Sequence, residues 1–181
     1  MRILGVTASG FDAGDYELIS TTLISSNTPS VTFDVSSFAS TYKHLQIRAT
    51  ARSGQTASSE YINLRLNGAT SYWQHGLEGN GSTVTSYGAS TTSMAMAQVA
   101  RGNSTASSFG AGVIDILDPF STTKNKTLRG LGGITSSEAT NIALRSGSWA
   151  STSAVTSITC LPFSADNWVA GSRFSLYGIK G

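Results

Sequence analysis

The sequence predicts an all-β protein, an antiparallel β-sandwich of about eight to ten strands. Three observations support this prediction. Short segments alternate apolar and polar residues with a period of two, as half-buried strands do. Clusters of Gly, Ser, Asn and Thr separate these segments, and residues 79–82 are an example. No segment keeps a helical period of 3.6 over about ten residues.

The alternation is clearest in the segments 45–52 and 62–66. Asn67-Gly68 then favours a type I′ turn, after which 69–75 is expected to return antiparallel as a hairpin. Further strands are expected at 16–23, 30–35, 83–87, 94–99, 109–117, 127–134, 141–149, 154–160 and 173–179. A jelly roll is favoured over an immunoglobulin order, because the chain is long and lacks a Cys–Trp–Cys pattern.

The apolar residues of the alternating strands are expected to point into the core. These residues are Leu45, Ile47, Ile62, Leu64, Leu66, Ile142, Leu144, Phe174 and Leu176. The sandwich domain is expected to span residues 16–181.

Residues 1–15 fall outside the alternating pattern and are expected to form an N-terminal arm. The arm carries a compact apolar group followed by two glycines, a pattern that indicates subunit anchoring. The candidate anchoring residues are Met1, Ile3, Leu4 and Val6. The alternative is that this apolar segment is an edge strand of the chain's own sheet.

Composition restricts the class of protein. Charged residues make up 12% of the 181 residues, about half the roughly 25% of an ordinary domain, and Ser and Thr are abundant instead. The net charge of +2 is too small for nucleic-acid binding. Neither a signal peptide nor an apolar run of about 18 residues is present, so neither standard secretion nor a membrane span is expected.

Residues for catalysis or metal binding are sparse. Asp115 and Asp118 lie at a strand end, where an outward Asp and a turn Asp before proline are expected rather than a catalytic pair. His44 and His75 are isolated, and Cys160 is expected to be a buried apolar residue. We therefore expect no catalytic residue, no metal site and no cofactor, and hence no enzyme.

Three tryptophans are candidates for stacking against sugar rings: Trp73, Trp149 and Trp168. The alternative is that these rings fill the core or cover sheet edges.

Several segments resemble one family. The stretch 41–48, preceded by 16–21, is similar to a family of virion structural proteins from tailed bacteriophages, many of them cyanophages. The segments 113–118 and 174–181 resemble the same family. This resemblance implies a place on the phage particle, where members are taken as head decoration, appendage or tail-fibre components. It carries over no functional residues.

From these observations we expect a non-enzymatic virion protein, a capsid decoration or cement protein bound as an oligomer. The alternatives are a tail-fibre, baseplate or appendage module that binds host surface carbohydrate, and a free-standing lectin without a viral role. The expected partners are major capsid or tail proteins and copies of the chain, with a host glycan in the second case. Such a protein is made in the host cytoplasm and released by lysis, which suits the absence of disulfides.

Overall fold

The computed structural model describes residues 15–56, 60–136 and 139–181. These residues form twelve β-strands and no helix. The strands are β1 (Tyr16–Leu23), β2 (Val31–Asp34), β3 (His44–Ala51), β4 (Glu60–Leu66), β5 (Tyr72–Gly79), β6 (Val84–Thr91), β7 (Met94–Val99), β8 (Gly110–Leu117), β9 (Lys126–Ser136), β10 (Ala139–Trp149), β11 (Ser157–Pro162) and β12 (Arg173–Ile179). The arm residues Met1, Ile3, Leu4 and Val6 lie outside the described part.

The strands form two antiparallel sheets. The large sheet has the order β1-β12-β3-β8-β9-β10-β5-β6, and the small sheet has the order β2-β11-β4-β7. The all-β, antiparallel, two-sheet prediction is confirmed, although twelve strands exceed the expected eight to ten. The jelly-roll order is not confirmed, because β8, β9 and β10 follow one another within the large sheet.

The predicted hairpin after Asn67-Gly68 is wrong. Both residues have positive φ, 52° and 68°, as a type I′ turn requires. However, β4 pairs with β11 and β7, whereas β5 lies in the large sheet between β10 and β6. The Tyr72 hydroxyl instead contacts the backbone N–H and C=O of Leu66 at 2.8 and 3.2 Å. The turn therefore directs the chain from one sheet to the other.

The core lies between the two sheets. Seven of the predicted inward residues are buried: Leu45, Ile47, Ile62, Leu64, Leu66, Phe174 and Leu176. The rings of Trp168 and Phe174 lie 5.1 Å apart within this core. The predicted register of β3, β4 and β12 is thus confirmed.

Strand β7 packs closely against β8, β9 and β10, and glycines make the approach possible. A Cβ added at Gly132 would lie 2.8 Å from the Ala97 Cβ, and one at Gly147 would lie 2.6 Å from the Met94 Sδ. All six residues of β7 are buried. Small residues therefore occupy much of the inward face of this part of the large sheet.

The predicted inward orientation of Ile142 and Leu144 is wrong. Both side chains lie on the outer face, and they are 58% and 55% exposed. The neighbouring Ala143 and Gly147 face β7 instead and are buried. The physical reason is the close approach of β7, whose Met94 and Met96 side chains fill the space beside Gly147 on the inward phase of β10. The inward Arg145 side chain lies instead in the space that Gly76 leaves open.

One cation holds the loop after β7. The Arg52 guanidinium donates hydrogen bonds of 2.7–3.2 Å to four backbone carbonyls of this loop. The acceptors are the carbonyls of Gly102, Ser104, Thr105 and Ser108. Charge-assisted hydrogen bonds are stronger than neutral ones, so a loop without regular structure is held in one conformation.

Two fully buried charged groups act in a similar way. The Lys126 ammonium donates to the carbonyls of Ser121 and Lys124 at 2.7 and 2.9 Å, and burial lowers the pKa of this lysine. The Glu60 carboxylate accepts hydrogen bonds from the Ser53 hydroxyl at 2.8 Å and the Phe163 N–H at 2.6 Å. Several of the few charged residues therefore stabilise loops rather than the solvent-facing surface.

Candidate functional site

An exposed apolar row crosses the outer face of the large sheet. Val113 pairs with Leu131, Leu131 with Leu144, and Leu144 with Leu77, so the four side chains lie side by side on β8, β9, β10 and β5. Their exposed fractions are 38%, 50%, 55% and 51%. We call this row the outer ladder. An exposed continuous apolar patch is typical of an interaction surface.

Two shallow depressions flank the outer ladder. The first has a volume of about 640 Å³ and includes Val113, Leu131 and Ile142 in its lining. The second has a volume of about 520 Å³ and lies beside Leu77, Leu144 and His75. Both are open to solvent, and Ile142 extends the apolar area beyond the ladder. The outer face therefore has depressions into which the side chains of a partner can fit.

A row of polar side chains runs parallel to the outer ladder, two residues away from it on β8 and β9. The Gln46 Nε2 donates to Asp115 Oδ1 at 2.7 Å, and the Arg129 Nε donates to Asp115 Oδ2 at 2.8 Å. The Tyr16 hydroxyl donates to Gln46 Oε1 at 2.6 Å. The Arg48 guanidinium lies over the Tyr16 ring at 5.2 Å. These side chains are held in place by one another beside the apolar surface.

The three candidate tryptophans lie in different environments. Trp168 is fully buried, and its ring donates a 3.3 Å hydrogen bond to the Cys160 carbonyl, so it cannot stack on a sugar. Trp149 packs against the core near Tyr72, with ring centroids 6.5 Å apart. Trp73 is 65% exposed on the outer face, where it pairs with Ser148 of β10. Only Trp73 keeps the accessibility that a stacking platform requires.

A small cleft of about 280 Å³ lies between β4 of the small sheet and β5, β6 and β10 of the large sheet. The buried Arg145 guanidinium lies between the rings of Tyr61 and Tyr87, at 4.2 and 4.3 Å from their centroids. It also forms an ion pair with Glu78. A Cβ at Gly76 would lie 2.7 Å from the Arg145 Cδ, so this glycine makes room for the arginine.

The mouth of this cleft carries an accessible aromatic ring. Phe163 is 52% exposed and meets Tyr61 edge-on, with centroids 5.7 Å apart and planes at 85°. The Tyr61 hydroxyl donates to both carboxylate oxygens of Glu78, at 3.1 and 3.2 Å. We call Tyr61, Glu78, Tyr87, Arg145 and Phe163 the aromatic cleft. A ring beside fixed polar groups suits a planar or sugar-like ligand.

The carboxylates singled out from the sequence do not meet. Asp115 pairs with Arg129 on the outer face. Asp118 ends the same strand, and its carboxylate lies 2.7 Å from the Lys124 ammonium. The hydrogen bond from Lys124 lowers the pKa of Asp118. His44 Nδ1 accepts a 3.1 Å hydrogen bond from the Asp118 N–H, which occupies this ring nitrogen.

The remaining candidates are consistent with structural roles. Cys160 is fully buried, and desolvation raises the pKa of its thiol, so the reactive thiolate is disfavoured. Within the described ranges, no group of three or more His, Cys, Asp or Glu side chains could hold a metal ion. No helix among the described residues has the length and apolar character of a membrane span.

Sequence reasoning missed both the outer ladder and the aromatic cleft. The signal for the ladder was present at 130–133, where Leu131 stands between glycines. Glycines on one phase of a strand indicate a close approach on that face, which places the leucine on the other. The cleft had no such signal, because Tyr61, Tyr87 and Arg145 come from three strands that meet only in the folded molecule.

No protein-family model, no curated protein and no solved structure matches this chain.

Proposed function

We propose that this protein is a non-enzymatic structural component of a phage particle, a decoration or cement protein on the capsid surface. The observation that carries the proposal is the outer ladder, a continuous apolar row on a sheet face made of regular strands. The sequence resemblance of four segments to phage virion proteins supports the location.

The outer ladder can supply a useful part of the binding free energy. Removing one half-exposed Leu side chain from water contributes about 1 kcal/mol, at roughly 25 cal/mol per Å² of apolar surface. The rigid strands beneath the ladder lose little conformational entropy on binding, since their backbone is already fixed. A partner with a complementary apolar surface, such as a major capsid protein, fits this chemistry.

The double variant Leu131→Ser, Leu144→Ser tests the role of the ladder. We expect about 30-fold weaker binding to particles that lack the protein, because about 2 kcal/mol of apolar burial is lost. Co-sedimentation with purified particles measures this. Leu23→Ser is the matched control, since Leu23 is 57% exposed at the far edge of the same sheet. Unchanged binding of the double variant contradicts the proposal.

The copy number distinguishes the head from the tail. A decoration protein is present in numbers comparable to the major capsid protein, whereas a fibre or baseplate component is present in few copies. Band intensity from purified particles measures this ratio, and electron microscopy of labelled particles locates the protein. A ratio far below that of the capsid protein excludes the decoration role.

A tail-fibre, baseplate or appendage module that binds host surface carbohydrate is the second candidate. Exposed Trp73 on the outer face, and the aromatic cleft with Phe163 at its mouth, favour it. Glycan-array binding that is lost in Trp73→Ala or Phe163→Ala supports this candidate. Binding to no glycan by the wild-type protein contradicts it.

The proposal also includes the absence of catalysis. Asp115 is occupied by Gln46 and Arg129, and Asp118 by Lys124, so neither carboxylate is placed with a second one as a hydrolase requires. Turnover of a polysaccharide that is abolished by Asp115→Asn contradicts this part of the proposal.

A further inference from the structure

Edge strands expose unpaired backbone groups, and proteins normally protect them. Three of the four sheet edges in the described part are protected. β1 carries Glu17 and a register shift between Leu18 and Ser20. β2 has only four residues, and one of them is Asp34. β7 is fully buried against the large sheet.

The fourth edge, β6, has none of these features. The strand has eight residues, Val84–Thr91, and its register with β5 is uninterrupted. Six of the eight residues are exposed. Residues 80–93 contain no charged residue and no proline. A long, regular and uncharged edge is the type that pairs with another strand.

The backbone groups available for pairing follow from the hairpin. The Asn80 N–H donates to the Thr83 carbonyl, which makes this a hydrogen-bonded pair. Hydrogen-bonded and non-hydrogen-bonded pairs alternate along an antiparallel ladder. The N–H and C=O groups of Val84, Ser86, Gly88 and Ser90 therefore point away from β5. No hydrogen bond to these groups comes from any described residue beyond β5.

We propose that β6 pairs antiparallel with β6 of a second copy of this chain, so that two large sheets become one continuous sheet. A strand that meets its own copy about a two-fold axis brings like charges together, and an uncharged strand avoids this cost. The outward groups pair fully when Ser86 lies opposite Gly88 and Val84 opposite Ser90. Small side chains at these positions allow close approach.

This pairing also connects with the outer ladder. Leu77 pairs with Ser86, so the ladder ends one strand from the edge. In the dimer, the ladders of both copies lie on one continuous outer face, which enlarges the surface for a particle partner. The pairing deepens the proposed assembly role, but it requires only the edge of β6.

Substitution of an exposed β6 residue by lysine tests the pairing. We expect the wild-type protein to have twice the chain mass of 18.8 kDa by light scattering at micromolar concentration. Ser86→Lys is expected to halve that mass, because two ammonium groups then lie close across the axis. Ser20→Lys is the matched control, an exposed position on the opposite edge strand, and should remain dimeric. Thermal unfolding establishes that each variant is folded.

Amide hydrogen exchange provides an independent measurement of the same contact. The amides of Ser86 and Gly88 should exchange slowly in the wild-type dimer and rapidly in Ser86→Lys. A monomeric wild-type protein, rapid exchange at these amides within a dimer, or a monomeric Ser20→Lys variant each overturns the inference. Particle binding by a monomer overturns the β6 pairing and leaves the proposed virion role standing, so the two failures are distinguishable.

Discussion

At the scale of single residues, three charged side chains stabilise loops through the hydrogen bonds that they form. Arg52 donates hydrogen bonds to four loop carbonyls, Lys126 donates to carbonyls of the loop before β9, and Glu60 accepts hydrogen bonds from two loops. Each ion replaces hydrogen bonds that the loop backbone would otherwise make with water. These charged groups therefore stabilise irregular segments of a chain that has no disulfide.

The orientation of the strands predicts different losses of stability when two leucines are replaced by alanine. Leu64 is fully buried in β4, whereas Leu144 is half-exposed on β10. We expect Leu64→Ala to lower the free energy of unfolding by about 2–5 kcal/mol, because a cavity remains. Leu144→Ala should change it by less than about 0.5 kcal/mol. Chemical denaturation of both variants measures this, and equal losses contradict the orientation of β10.

At the scale of elements, the large sheet accommodates β7 through glycines rather than through matched large side chains. Gly132→Ala is expected to lower the free energy of unfolding by about 1–3 kcal/mol, since the new methyl group meets the backbone of Gln98. Denaturant unfolding measures the loss.

Gly79→Ala is the control for this prediction. A Cβ at Gly79 would be 3.7 Å from the nearest atom of Ile142, an ordinary contact distance. Its effect on stability should be within about 0.5 kcal/mol. If both alanine variants are equally stable, the close packing of β7 does not limit the inward side chains.

The strands themselves could be predicted from the sequence, because alternation and turn residues are local signals. Each predicted segment corresponds to a strand, and the predicted bounds of β1, β7 and β12 are those of the structure. The partner of β5 and the inward phase of β10 could not be predicted in this way. Both depend on contacts across the sandwich: Tyr72 binds the end of β4, and Met94 approaches Gly147.

At the scale of the whole molecule, acid should destabilise the fold. Hydrogen bonds from Lys180, Ser36 and Lys124 lower the pKa values of Glu17, Asp34 and Asp118, respectively. The unfolded chain therefore binds more protons than the folded chain as the pH falls through about 4, the ordinary pKa range of carboxyl groups. The stabilisation present at neutral pH is lost as the pH falls through the lowered folded-state values.

The melting temperature at pH 7 and at pH 3 measures this effect. Lys124→Met should reduce the difference between the two temperatures, because it removes the group that lowers the pKa of Asp118. A melting temperature that does not change between these pH values contradicts the linkage.

The anchoring role of the N-terminal arm is also tested on the whole molecule. Deleting residues 1–14 keeps Asp15, whose carbonyl accepts a 2.9 Å hydrogen bond from the Lys180 N–H. If the arm anchors the protein, the deletion should abolish particle binding and leave the thermal transition intact. Unfolding of the deleted protein, or unaltered assembly, contradicts the anchoring role.

The enclosure of Cys160 has a practical consequence. Cys160 is the one cysteine of the chain, and it is fully buried with a raised pKa. Alkylating reagents should therefore not react with its thiol in the folded state. A cysteine introduced at the exposed position of Ser20 is then the single reactive thiol of the folded protein. Maleimide dyes or tethered peptides can be attached there at one defined stoichiometry. The wild-type chain is thus already suited to site-specific conjugation, without any prior removal of a native thiol.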